Sequence, residues 1–167
     1  MVQDSLRNLL WLTSLILLQV LIFDNINLFG FSCPALYLLF IICYRFDGSQ
    51  FTLILLGFLL GLSIDLFQQT SGANTIATLF ISFIRPLIIR FSFENTPDST
   101  SILSMKSRQG NKIVFVFLMA FVHQFVIHFI AFFDLEHYVI ILRNTVVNSI
   151  FTFALLFGVL NLIKKKN

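Results

Sequence analysis

The 167-residue chain is 57% apolar and only 11% charged, with a mean hydropathy of +0.91 and a formal net charge of +3. A soluble domain carries about a quarter charged residues, so water is not the main solvent for this sequence. Its few dispersed cations do not make the clustered basic face that nucleic-acid binding needs. The composition points to an all-α integral membrane protein, a single polytopic domain over 1–167 without a soluble catalytic unit.

Taken in chain order, the apolar runs predict a first helix at about Leu6 to Phe23. Arg7 ahead of an apolar run imitates a secretory leader, but Asp24, Asn25 and Ile26 offer no small-x-small cleavage site, so the segment reads as an uncleaved helix. The second run, about Phe31 to Tyr44, is short: at this length a helix reaches about 21 Å, against a hydrocarbon core of about 30 Å. Pro34 suits a first turn. Ile26, Leu28 and Phe29 could lengthen the span, while Gly30 and Pro34 leave room for a re-entrant or broken segment. Cys33 and Cys43, the two cysteines, both fall here, about 15 Å apart on a helix, too far to pair with each other. They read as packing residues.

The third helix, about Phe51 to Phe67, carries Gly57, Gly61 and Asp65 at i, i+4 and i+8, which drift only about 80° around the axis. Small residues on one arc admit a neighbouring backbone, and an acid on that arc should face protein rather than lipid. Gln68 falls within it too. The fourth helix, about Ala73 to Ile89, contains Arg85 and Pro86, read as a kink beside a cation that snorkels to the interface. Pro97, several serines and Gly110 make about 91–112 a mobile cytoplasmic loop.

The fifth helix, about Ile113 to Phe133, holds His123 and His128 about 140° apart, unlike the i, i+4 pair of a zinc site. Gln124 shares a face with His128. On the sixth helix, about Val139 to Ile163, Asn144, Asn148 and Thr152 form an arc suited to interhelical hydrogen bonds. A basic tail follows at 164–167.

Six spans with a cytoplasmic tail put nine of the 11 Lys and Arg residues inside: Arg7, Arg45, Arg90, Lys106, Arg108, Lys112, Lys164, Lys165 and Lys166. The outer loops around Asp24, Gln68 to Gly72 and Asp134 to His137 carry none. This is the positive-inside pattern, with both termini cytoplasmic. A carboxylate in a bilayer needs a partner. Matching depths nominate Arg143, about one turn into the sixth helix, and His128, about as far into the fifth, as partners of Asp65, with the Asp65–Arg143 ion pair favoured first. No nucleophile with a base, phosphate loop or ligand cluster is present, so neither enzyme chemistry nor a metal or cofactor is expected.

The stretch Gly57-Phe-Leu-Leu-Gly61-Leu62-Ser-Ile-Asp65, with Gly72 seven residues on and a small-residue helix after it, resembles the signature region of the rod shape-determining protein MreD family. Arg85-Pro86 is similar to the Bacteroidetes branch. The residues matching the family pattern are Gly57, Gly61, Leu62, Asp65 and Gly72. Beyond helices 3 and 4 the likeness is one of length, hydropathy and basic tail.

The resemblance implies a non-catalytic inner-membrane scaffold of the bacterial cell-elongation machinery, supporting peptidoglycan synthesis and cell shape. Its implied partners are an MreC-like protein, a RodA-type glycosyltransferase, a class B penicillin-binding transpeptidase and MreB filaments. The implied fold is a six-helix bundle like the substrate-binding subunits of energy-coupling-factor vitamin transporters, which supply the alternative function. Those subunits typically dock through Ala-x-x-x-Ala patterns on helix 1, and Leu9 to Phe23 contains no alanine. On this reading Gly57, Gly61, Asp65 and Gly72 form a helix-packing or partner face.

Overall fold

The computed structural model describes residues 2–23, 34–45, 49–93, 109–132 and 138–166. They form six helices: α1 (Val2–Leu21), α2 (Leu38–Cys43), α3 (Gln50–Gln68), α4 (Ala73–Phe93), α5 (Gln109–Phe132) and α6 (Tyr138–Lys166). Four are long and apolar enough to cross a membrane: α3, α4, α5 and the Tyr138–Ile163 part of α6. The described residues form an all-α bundle of membrane-spanning character. In α1 the apolar part is the shorter Asn8–Leu21. The expected loop at about 91–112 falls mostly on residues outside the described ones, as do Cys33, Asp24, Asp134 and His137.

Helices α3 to α6 pack serially, each mainly against its neighbour in sequence, while α1 lies on α3 and α2. Their outer faces are apolar, with Phe51, Leu55, Leu59 and Leu66 exposed on α3 and Phe83, Leu87 and Phe91 on α4. Polar side chains point inward, among them Asn74, Thr78, Ser82, His123, Gln124 and Thr152. In a hydrocarbon solvent this arrangement is required, because polar groups must find partners within the protein. On α1 the buried stripe is Leu12, Leu15, Ile16 and Gln19, one face at i, i+3, i+4 and i+7.

The second segment departs from expectation. Of the 14 residues expected to form one helix, Phe31 to Tyr44, those from Pro34 on are described, and among them Leu38–Cys43, six residues or about 9 Å, is helical. Every residue from Pro34 to Cys43 is buried. Tyr37 meets Asn74 near the start of α4, and Tyr44 meets Arg85 nearer its end. The segment therefore runs through the middle of the bundle alongside about 16 Å of α4. A helix this short leaves most of its backbone groups without an internal partner.

Its own tight turns meet the Ala35, Leu36 and Tyr37 carbonyls, which accept from Leu38, Leu39 and Phe40 N, and side chains from three other helices supply further partners. At the leading end Gln19 acts in both senses: Leu36 N donates to its Oε1 (2.8 Å), and its Nε2 donates to the Pro34 carbonyl (3.2 Å). Ala35 N donates to Thr152 Oγ1 on α6 (3.2 Å). At the trailing end the Arg85 guanidinium donates to the Tyr44 carbonyl (2.5 Å) and lies 3.5 Å from that of Ile42. Arg85 does not snorkel; it is 3% exposed. A cation at a helix C-terminus is favoured by the helix dipole as well as by the hydrogen bonds.

Pro86, inside α4, cannot donate to the Ser82 carbonyl. Gln50, in the first turn of α3, takes that acceptor through Nε2 at 2.7 Å. The broken ladder of α4 is thereby repaired from outside.

Arg85→Leu should expose the Tyr44 carbonyl to an apolar interior and destabilise the detergent-solubilised protein by about 1–3 kcal/mol. Arg85→Lys, which keeps a donor but loses the fork, should fall between. Thermal melting of the three proteins checks this, and equal midpoints would show that the cap contributes nothing.

Candidate functional site

Three features of α3 and the turn after it fix where α4 begins. The first is small size. A Cβ on Gly61 would lie 2.6 Å from Thr75 Cα and 2.8 Å from the Asn74 carbonyl oxygen, both backbone atoms that cannot rotate away. At Gly57 the obstacles are the Thr78 carbonyl at 3.3 Å and the Ser82 side chain. The two glycines therefore seat the α4 backbone directly on α3. Of the expected helix-packing or partner face, the Gly57 and Gly61 part is occupied by α4 of the same chain.

The second feature is the turn. Gln69, Ser71 and Gly72 all have positive φ, at 55°, 53° and 91°. Gly72 has nothing within 4 Å of a would-be Cβ, so backbone conformation, not packing, calls for glycine there. It belongs to the turn and not to a packing face.

The third feature is Asp65, only 7% exposed. Its Oδ1 accepts from the Thr70 hydroxyl, from Asn74 N (3.0 Å) and from Asn74 Nδ2 (3.1 Å). Its Oδ2 accepts from Thr75 N (2.7 Å) and Thr75 Oγ1 (2.5 Å). The N–H groups of Asn74 and Thr75 are first-turn donors of α4, the ones an N-cap side chain normally satisfies. The residue before α4 is Gly72, which has no side chain to offer. Asp65 caps the helix from α3 instead, placing its charge at the positive end of the α4 dipole.

This corrects the expected pairing with Arg143. The Asp65 oxygens are occupied by donors lying just beyond it in sequence. Arg143 is exposed, with Nε and Nη2 each 3.4 Å from Asn144 Oδ1. Matching depth and opposite charge suggested a cross-bundle bridge, but Thr70, Asn74 and Thr75 are closer in sequence and need an acceptor. With both oxygens engaged, Asp65 holds structure and has little spare capacity to take up a substrate proton.

From Asp65 the polar contacts run inward. Asn74 Nδ2 also approaches Gln68 Oε1 (3.1 Å) and Thr70 Oγ1 (2.8 Å), and Asn74 Oδ1 accepts from the Tyr37 hydroxyl at 2.6 Å. Tyr37 in turn lies 3.3 Å from His123 Nε2, with the two rings edge to face. Since the hydroxyl proton is given to Asn74, the imidazole donates to the tyrosine oxygen. The expected hydrogen bonds between α5 and α6 are present: Gln124 Nε2 donates to Thr152 Oγ1 (3.0 Å), and Asn148 Nδ2 meets His128 Nε2 at 2.7 Å. Asn74, Tyr37 and Gln19 were not singled out by sequence reasoning. Asn74 could have been found from its position two residues after Gly72, at the start of a predicted helix.

These groups surround a partly open cavity of about 150 Å³ at the Asp65 end of the bundle, reached by Gln19, Tyr37, Gln68, Asn74, His128 and Asn148. Among the described residues no three His, Cys, Asp or Glu side chains converge as metal ligands would. No family model matches the sequence, and no curated protein or solved structure matches it either.

Asp65→Asn should cost about 1–2 kcal/mol by leaving first-turn donors of α4 unmet, whereas Arg143→Gln should stay within about 0.5 kcal/mol. Gly61→Ala should cost about 1–3 kcal/mol through overpacking, and Phe58→Leu, on the exposed face of the same helix, little. Melting midpoints at matched detergent test the set. A harmful Arg143→Gln that is non-additive with Asp65→Asn would restore the ion pair.

Proposed function

We propose that the chain is a non-catalytic membrane scaffold of the bacterial cell-elongation machinery, of the kind its resemblance to the rod shape-determining protein MreD family implies. One observation carries the reading. The resembling residues act together: Gly57 and Gly61 seat α4, Asp65 caps it, and Gly72 turns the chain into it. Leu62, between them, is exposed on the outer face. Four of the five matching residues build one joint, which is more specific than the same number of scattered matches.

In this reading the bundle lies in the inner membrane with both termini cytoplasmic, as the distribution of basic residues favours. The glycine face is spent on internal packing, so an MreC-like protein, a RodA-type glycosyltransferase, a class B penicillin-binding transpeptidase or MreB filaments would meet other surfaces. The exposed apolar sides of the helices and the ends of the bundle are the available ones. The transporter alternative, a vitamin-binding subunit, lacks the alanine pattern on α1.

Depletion of the chain in its host should turn rods into spheres, and the tagged protein should recover an MreC-like partner from solubilised membranes. Unchanged shape and no such partner, together with thermal stabilisation by a vitamin, would replace the scaffold by the transporter subunit.

A further inference from the structure

His123 on α5 is fully buried, yet one of its ring nitrogens is unmet. Among the described residues nothing bonds its Nδ1, while its Nε2 lies 3.3 Å from the Tyr37 hydroxyl. A neutral imidazole carries one proton, on either nitrogen, and its hydrogen bonds decide which. Here the deciding group is one that His123 does not touch.

That group is Asp65. Its two oxygens face donors from Thr70, Asn74 and Thr75, the surroundings of an ionised carboxylate, which accepts hydrogen bonds and donates none. Asn74 must therefore turn its Nδ2 toward Asp65 Oδ1, at 3.1 Å. Its own Oδ1 then points the other way, to the Tyr37 hydroxyl at 2.6 Å, and a carbonyl oxygen can only accept. The single hydroxyl proton of Tyr37 is thereby spent, and the phenol offers His123 a lone pair. The ring answers with Nε2–H, which leaves Nδ1 a bare acceptor, the unmet atom that the structure contains.

The reverse order is also complete. With its amide turned over, Asn74 would donate to Tyr37, Tyr37 would donate to Nε2, and the ring would hold its proton on Nδ1. Of the three acceptors around Asn74 Nδ2, Gln68 and Thr70 could become donors by turning their own side chains, but Asp65 could not. The carboxylate charge separates the two orders.

We propose that Asp65, Asn74, Tyr37 and His123 form a directional hydrogen-bond relay, in which the carboxylate on α3 sets the position of the ring proton on α5. The relay passes through α4 and the buried segment and has two settings, and removal of the Asp65 charge releases the second. It concerns the purified chain and does not rest on the scaffold reading.

The ring nitrogens are read by nuclear magnetic resonance on the full chain in lipid nanodiscs with isotope-labelled histidine. The His123 signal is the one lost in His123→Gln. The unmutated chain should show the proton on Nε2. Asn74→Ala keeps the backbone cap but frees the Tyr37 hydroxyl to donate to Nε2, and should shift the ratio of the two forms toward Nδ1–H by about fivefold or more. Asp65→Asn should shift it in the same direction, which covers the case in which Asn74→Ala does not fold. In a Tyr37→Phe background neither substitution should change the ratio. A proton on Nδ1 in the unmutated chain, a ratio unmoved by either substitution in a folded protein, or a shift that persists without the Tyr37 hydroxyl would each overturn the relay.

Discussion

The structure depends on burying a short, only partly α-helical stretch of backbone inside a membrane bundle without leaving its peptide groups unmet. Each unmet group in hydrocarbon costs several kcal/mol. Residues Pro34 to Tyr44 pose that problem, and Gln19, Thr152 and Arg85 resolve it from α1, α6 and α4. The solution binds the bundle together. Each of these side chains is useful only where its own helix is placed, so pinning the short segment also fixes three long ones around it.

The α3–α4 joint follows the same logic. A turn with three positive φ values and a glycine at the capping position leaves α4 without a local cap. Asp65 can serve because Gly57 and Gly61 bring the two helices close enough for its carboxylate to reach the first turn. Shape and charge are therefore one device, and replacing a glycine would weaken the cap as well as the packing. Farther along α4, Gln50 repairs the acceptor that Pro86 leaves empty. In both places a defect in one helix is met by a side chain from another, a form of cohesion that does not rely on the hydrophobic effect.

Sequence alone showed the class, the order of the helices and the inward-facing polar arcs, because hydropathy and the 3.6-residue period report these directly. It overstated the second helix, since a run such as Leu38 to Cys43 is equally apolar whether it faces lipid or is enclosed by protein. The length deficit and Pro34 were the signs of the broken segment that the structure contains. Arg85 was assigned to the interface because a lone cation near a helix end usually snorkels. Its true partner is a backbone carbonyl, which has no signature in sequence. Asp65 was given a charged partner across the bundle for the same reason: charges stand out in an apolar sequence, whereas the threonines and backbone amides that hold this carboxylate do not.

The most direct measurement is amide hydrogen exchange of the protein in lipid nanodiscs, followed at Ala35, Leu36 and the helix from Leu38 to Cys43. These amides should be among the slowest to exchange, and Gln19→Leu should speed the Leu36 amide by about tenfold or more while sparing the middle of α5. Exchange of Ala35 and Leu36 within minutes in the unmutated protein, or no response to Gln19→Leu, would show that the segment is not held as described.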